Sequence, residues 1–314
     1  MFFLSRSDLD KKFKQLRLEL QSVGISDELR GWSWENYPVS SPHKGLLLSV
    51  SELASRYCDT FRDIYLRRVE CKLPPPSLKM FEGIVYHFIA SESTVRVKKF
   101  IFDKGLVSGS DLIEALLPQS KSIAEMAIEN TESNIGKIDD NIAFNVLNKA
   151  SKLYRFLIVQ AASQLDRALT KFPHIDVDSL INLAIPPIVE RKVDGSLIGL
   201  SKELSVDIYA PAYAVADIKT GEVRNFHKYA LTGYALALEA DEETAVNFGL
   251  TIYVRMEEDR PVPTIHIKHY LISDELRREF LEIRDEAFEI VMNKRDPGKP
   301  STCPSFCPYY QVCN

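Results

Sequence analysis

Leu9, Phe13, Leu16 and Leu20 recur at helical spacing with charges between them, so the chain opens on an amphipathic helix. Gly31-Trp32 and the proline-containing stretch from Tyr37 to His43 end it. Leu46–Val50 is a short apolar run that reads as a strand or an extended lead-in. Over Ser51–Val69 the positions Leu53, Tyr57, Phe61, Ile64 and Leu66 predict a second helix, with Ser49 or Ser51 as cap and Glu52 in its first turn. Pro74-Pro75-Pro76 breaks the chain, and a helix carrying Gly83 and His87 one turn apart follows over about 77–91. Leu and Ile at 3.6-residue spacing make residues 105–172 mostly helical, most clearly over Leu153–Thr170.

From Leu183 the character changes. Ile185–Glu190 reads as a strand, with Asp194-Gly195 as a turn after it. Val206–Gly221 reads as two short strands joined by a turn at Ala210-Pro211-Ala212. His227–Glu239 is a helix with Tyr234 near its middle, and Asn247–Met256 and Pro263–Leu271 are strands rich in Ile, Thr, Val and Tyr. Ser273–Lys294 is a long helix capped by Ser273, with Glu275 in its first turn. The expected fold class is α/β. It divides into an N-terminal helical region (1–104), a helical insertion or lid (105–172), a core (173–296) and a cysteine-rich tail (297–314).

The 314 residues are 45% hydrophobic and 26% charged, as in an ordinary soluble globular protein. A formal charge of −5 gives no overall attraction to nucleic acid, so contact with DNA must come from a local cluster of Lys and Arg. The start MFFLSRSDLDKKFKQL lacks the apolar core of a signal peptide, and no window is long enough for a membrane helix. These features predict a cytoplasmic protein without a membrane partner.

The candidate chemistry lies in Val206–Gly221. Side chains two apart on a strand share a face, so Asp217 and Lys219 project together and the hairpin brings Asp207 beside them. Like charges among apolar neighbours such as Val206, Ile208, Val215, Ala216 and Ile218 call for a cation between them. Oxygen ligands suit Mg²⁺ or Mn²⁺, and the lysine can orient water or stabilise charge on a phosphate. The competing reading is a solvated surface hairpin.

Five cysteines occur: Cys58, Cys71, Cys303, Cys307 and Cys313. In a reducing compartment such a cluster more often holds a metal than forms disulfides. Four thiolates from Cys58, Cys303, Cys307 and Cys313 make a shell for an iron–sulfur cluster or for zinc, and spacing does not separate these; two disulfides are the third possibility. Cys71 is left over.

The VD…DIK pair, with its acids ten residues apart, resembles the PD-(D/E)xK nuclease signature. The order Cys58, Gly83-x-x-x-His87, Asp207, Asp217-x-Lys219, Tyr234 and three terminal cysteines resembles the RecB-like CRISPR-associated iron–sulfur exonucleases. RGWSWENYP, SELASRYC and CDTFRDIYL resemble the longer archaeal branch tied to class I-A systems. The matching pieces run from about residue 30 to the C-terminus, and 105–172 carries no matching motif.

The resemblance implies a restriction-endonuclease-like, RecB-type core with an iron–sulfur tail. It implies His87, Asp207, Asp217 and the Ile218 carbonyl as ligands of Mg²⁺ or Mn²⁺, Lys219 as the catalytic lysine and Tyr234 beside the DNA. Cys58, Cys303, Cys307 and Cys313 would hold a [4Fe-4S] cluster, with [2Fe-2S] as the alternative, acting as a structural clamp. The implied activity is exonucleolytic cleavage of single-stranded DNA in CRISPR spacer acquisition, among other adaptation proteins. Ala230 departs from the family's Gln-x-x-x-Tyr motif, and Asp59 stands where a proline often follows the first cysteine. Ala230 sets up a second reading, a catalytically weak DNA-binding or scaffold subunit.

Overall fold

The computed structural model describes residues 6–211 and 213–313, so the readings on residues 1–5 and on Ala212 lie outside the described residues. In chain order the elements are α1 (Arg6–Lys12), α2 (Lys14–Val23), α3 (Val50–Ala54), α4 (Arg62–Arg68) and α5 (Leu78–Lys104). Then come α6 (Gly109–Leu116), α7 (Ser120–Ile135), α8 (Asp140–Lys171) and α9 (Val177–Ala184). The remainder is β1 (Ile188–Val193), β2 (Leu204–Ala210), β3 (Ala214–Lys219), α10 (Lys228–Glu242), β4 (Phe248–Arg255), β5 (Thr264–Leu271), α11 (Asp274–Asn293) and α12 (Tyr310–Cys313).

The sheet order is β1-β2-β3-β4-β5, antiparallel except for the parallel pair β3–β4. A parallel neighbour requires a crossover, and α10 supplies it. Both faces of the sheet are covered. On one face Ile208, Ala216, Ile218, Leu250 and Ile252 pack against α5 to α9. On the other, Val206, Tyr209 and Val215 pack against α3, α4, α10 and α11. This double cover explains why β3 and β4 read as near-continuous apolar runs.

Capping side chains set several helix starts. Ser49 accepts from the Glu52 amide while Glu52 bonds back to Ser49, forming a capping box on α3. Ser77, Asp139, Asp176 and Ser273 cap α5, α8, α9 and α11. The expected helix over Ser51–Val69 is two short helices. The chain turns at Phe61, whose backbone is left-handed (φ 56°) and whose ring lies under the Arg56 guanidinium at 3.9 Å. The helix expected to stop near residue 91 runs to Lys104, because Thr94, Val97 and Ile101 continue its buried stripe. Leu46–Val50 contributes only a parallel bridge, Leu48 to Leu200, before α3 begins.

A buried ionic cluster joins four segments. The Glu239 carboxylate on α10 is fully buried and accepts from Arg277 at 2.6 and 2.8 Å and from Arg30 at 2.7 Å. It also accepts from the amides of Gly31 and Val246. Gly31 fits because a Cβ there would stand 1.9 Å from the Leu236 carbonyl oxygen. Among the described residues no helix is long and apolar enough to cross a membrane.

Glu239→Ala strands two guanidinium groups and is expected to destabilise the fold by about 3–5 kcal/mol. Glu282→Ala on the exposed face of α11 is expected to stay within about 0.5 kcal/mol. Denaturant midpoints of the two variants check this; equal values would remove the cluster's assigned weight.

Candidate active site

β2 and β3 pair only through Ile208–Ala216, Tyr209–Val215 and Ala210–Ala214. One step further the strands fork, and continuation of the register sets Asp207 opposite Asp217. The Asp207 carboxylate bridges the fork. Its Oδ2 accepts the Ile218 amide at 2.6 Å, replacing a ladder bond, and its Oδ1 lies 3.2 Å from His87 Nδ1 on α5. Gly83, one turn before His87, faces the Thr220 hydroxyl beyond β3, so this turn of α5 rides directly over the end of that strand.

Asp217 is buried on β3, and Lys219 Nζ lies 3.1 Å from its Oδ1 and 2.8 Å from its Oδ2. Oδ2, though close to the ammonium, accepts no hydrogen bond. Tyr234 projects from α10 close enough for the charges of Asp217, Asp207 and Glu190 to act on its phenol. Asp207, Asp217, Lys219, His87 and Tyr234 therefore come together. The Ile218 amide, on the same peptide run, is held by Asp207.

Burial pulls Asp207 and Asp217 upward alike, and the neighbours separate them. Beside Asp207 the His87 charge and hydrogen bond, with the Ile218 amide, outweigh burial and hold the carboxyl low. Asp217 is raised by burial, with Asp207 adding to burial and Lys219 opposing it. Loss of water disfavours charge on Lys219, but Asp217, then Asp207 and Tyr57, raise it, so the ammonium stays charged. The same balance at His87, with Asp207 and Asp217 prevailing over burial, brings its imidazole up to about 9. Tyr234 is raised first by burial and then by the three carboxylates, so its phenol keeps its proton.

The donor set is oxygen-rich with one imidazole, which suits Mg²⁺ or Mn²⁺, and the Asp217 Oδ2 without a hydrogen bond is a lone pair such an ion would use. Among the described residues, the three-ligand group whose ligand atoms all lie within 4.8 Å of one another is His87, Glu190 and Asp207. Glu190 is thus a site residue that the sequence reading treated only as a strand end.

Sequence comparison is decisive for the family. A model of the CRISPR-associated exonuclease Csa1 family matches residues 1–314. The chain belongs to the Csa1 family. It is 33% identical over 317 residues to the Saccharolobus solfataricus CRISPR-associated exonuclease Csa1, covering 99% of each chain. It is 29% identical over 310 residues to the Thermoproteus tenax protein of the same name, again covering 99% of each. A solved chain from Eubacterium rectale aligns over 85% of this chain and 86% of its own, at 12% identity and a TM-score of 0.40, too low to bear on the fold.

The motif RGWSWENYP, which carried part of the resemblance to the archaeal branch, sits at the Glu239 cluster through Arg30 and Gly31 rather than at the site. Cys58 and Cys303 lie near Cys307. All five are free thiols; Cys58 is buried, Cys303, Cys307 and Cys313 are partly so, and Cys71 is exposed. Burial raises the Cys307 thiol, and Asp63, Cys58 and Cys303 are near enough to add to that. Arg62 donates to Cys313 Sγ at 3.1 Å and pairs with Asp296 at 2.9 Å. Four thiols at Cys58, Cys303, Cys307 and Cys313 are a ligand set that either an iron–sulfur cluster or a zinc ion could use.

The tail packs against Tyr57, whose phenol acts on the Lys219 charge. Tyr57, beside Cys58, makes edge contacts with Phe226 at 5.1 Å and with Phe306 of the tail at 5.9 Å, and Arg224 covers Phe306 at 3.9 Å. His227 follows Phe226 and its Nδ1 meets the Tyr253 hydroxyl at 3.0 Å. Burial, then the charges of Lys219, Arg224 and Lys268, push its pKa down to about 3 from an ordinary 6.5.

His227 is therefore neutral in the folded protein while the unfolded chain takes up the proton. Its contribution is lost as pH falls from about 6.5 toward 3. The urea midpoint is expected to drop across this window, and less steeply for His227→Gln; parallel slopes would refute the assignment.

Proposed function

We propose that the protein is a metal-dependent exonuclease of the PD-(D/E)xK, RecB-like type that trims single-stranded DNA during CRISPR spacer acquisition in the cytoplasm. The observation that carries this is the meeting of His87, Asp207, Asp217 and Lys219 at the fork between β2 and β3. Family membership supports the exonuclease reading.

His87, Asp207, Asp217 and the Ile218 carbonyl would hold Mg²⁺ or Mn²⁺. Such an ion supplies a water of lowered pKa and neutralises charge building on the scissile phosphate. Lys219 stays protonated beside Asp217 and offers its ammonium to the phosphate oxygens. Asp207 keeps its position through the Ile218 amide, so the ligand geometry is fixed before substrate arrives. His87 must release its proton to serve as a ligand. Tyr234 retains its phenolic proton and can donate it as a hydrogen bond to the strand.

A second reading rests on Ala230, a buried methyl side chain where the resembled family carries the Gln of its Gln-x-x-x-Tyr motif. It makes the protein a weakly active, DNA-binding scaffold among other adaptation proteins. Cys58, Cys303, Cys307 and Cys313 would hold the iron–sulfur cluster, [4Fe-4S] or [2Fe-2S], as a clamp between the tail and the segment around residue 58.

End-labelled single-stranded DNA with Mn²⁺ distinguishes the readings. Wild type is expected to degrade it, and Asp217→Asn to lose more than about 100-fold while melting as wild type does. Equal rates would sink the catalytic assignment; no cleavage by wild type, with DNA still bound, would favour the scaffold.

Protein purified without oxygen is expected to be brown and to contain iron and sulfide. Cys307→Ser should lose both and melt earlier. Colourless wild type with one zinc per chain would replace the cluster by a zinc site.

A further inference from the structure

We infer that Glu190 is a ligand of the divalent cation, together with His87 and Asp207. The inference rests on the reading of the site as a metal centre and extends its ligand set to β1. In the β1–β2 ladder Val189 pairs with Ile208 and Arg191 with Val206, so Glu190 stands across from Asp207. There its backbone is left-handed (φ 51°), unlike that of a regular strand residue. One carboxylate oxygen, Oε2, accepts the Ser205 hydroxyl at 2.6 Å. The Glu190 carboxylate lies with His87 and Asp207 inside a 4.8 Å group, and Asp217 is outside that group, held by Lys219.

The charge count points the same way. Glu190, Asp207 and Asp217 bring three negative charges and Lys219 one positive, leaving two when the imidazole is neutral as a ligand. A divalent cation cancels that remainder. Without Glu190 the remainder is one. The three-ligand group also lines a recess with Ala90, Ser91, Thr94 and Pro186, so the ion would sit between α5 and the start of β1. Ser205 then serves as a positioning residue that fixes the glutamate's orientation.

The test is Mn²⁺ binding by calorimetry and by the electron paramagnetic resonance of bound Mn²⁺, with no DNA present. Four variants are compared with wild type: Asp207→Asn, Glu190→Gln, Glu190→Gly and Ser205→Ala. Glu190→Gln is expected to weaken Mn²⁺ binding at least about tenfold, and Ser205→Ala by less. Glu190→Gly should show the same weakening, yet melt no lower than wild type without metal, because glycine takes this backbone conformation freely. Unchanged affinity in both Glu190 variants, with binding lost in Asp207→Asn, would overturn the role of Glu190 and keep the metal centre. Binding that also survives Asp207→Asn would overturn the metal centre and this inference with it.

Discussion

A carboxylate buried away from water must be surrounded by charge and donors, and Glu239 is satisfied by three other segments at once. Arg30 and Gly31 come from the N-terminal region, Arg277 from α11, and the Val246 amide from the entry to β4. Arg277 returns the favour to the carbonyls of Leu29, Val246 and Ile272. No part of this set can leave without exposing an unpaired ion. The helix so locked is α10, the crossover between β3 and β4, which also carries Tyr234. The parallel pairing of the two central strands and the position of the phenol over the site therefore share one anchor.

The same rule runs in reverse at the fork. Asp207, Asp217 and Glu190 are gathered at one spot with a single ammonium, an arrangement that packing does not reward. The fold tolerates it through specific donors: the Ile218 amide, the Ser205 hydroxyl and His87. An N-terminal helix layer then shields the site on the α5 side. The protein thus contains two ionic clusters with opposite logic, one closed on itself and one whose carboxylates outnumber its cations.

What the sequence revealed depended on the distance over which each residue acts. Asp217 and Lys219 were legible because strand periodicity alone aligns them, and Asp207 because a tight hairpin returns it. Glu190 was not, because its place follows from pairing with β2 and from a backbone twist that Pro186 and Pro187 do not announce. The capping box at Ser49 and Glu52 was readable, while the break at Phe61 was not, since the periodic pattern runs through it and the ring's pocket under Arg56 is tertiary. α9 is not legible although Asp176 caps it, because its eight residues give too short a pattern. RGWSWENYP was recognised as a signature, but only the structure shows Arg30 and Gly31 docked on α10.

The tail closes onto the segment around residue 60. Arg62 meets Asp296 across 234 residues, and Thr60 bonds the Gly298 carbonyl across 238. On a ribosome adding about 5–20 residues per second, the segment around Cys58 emerges on the order of ten to fifty seconds before these partners exist. During that interval Cys58, buried in the finished protein, has no cysteine-rich tail against it. Residues 296–298 are made after every strand of the sheet, so a product that stops before them lacks this closure however complete its sheet.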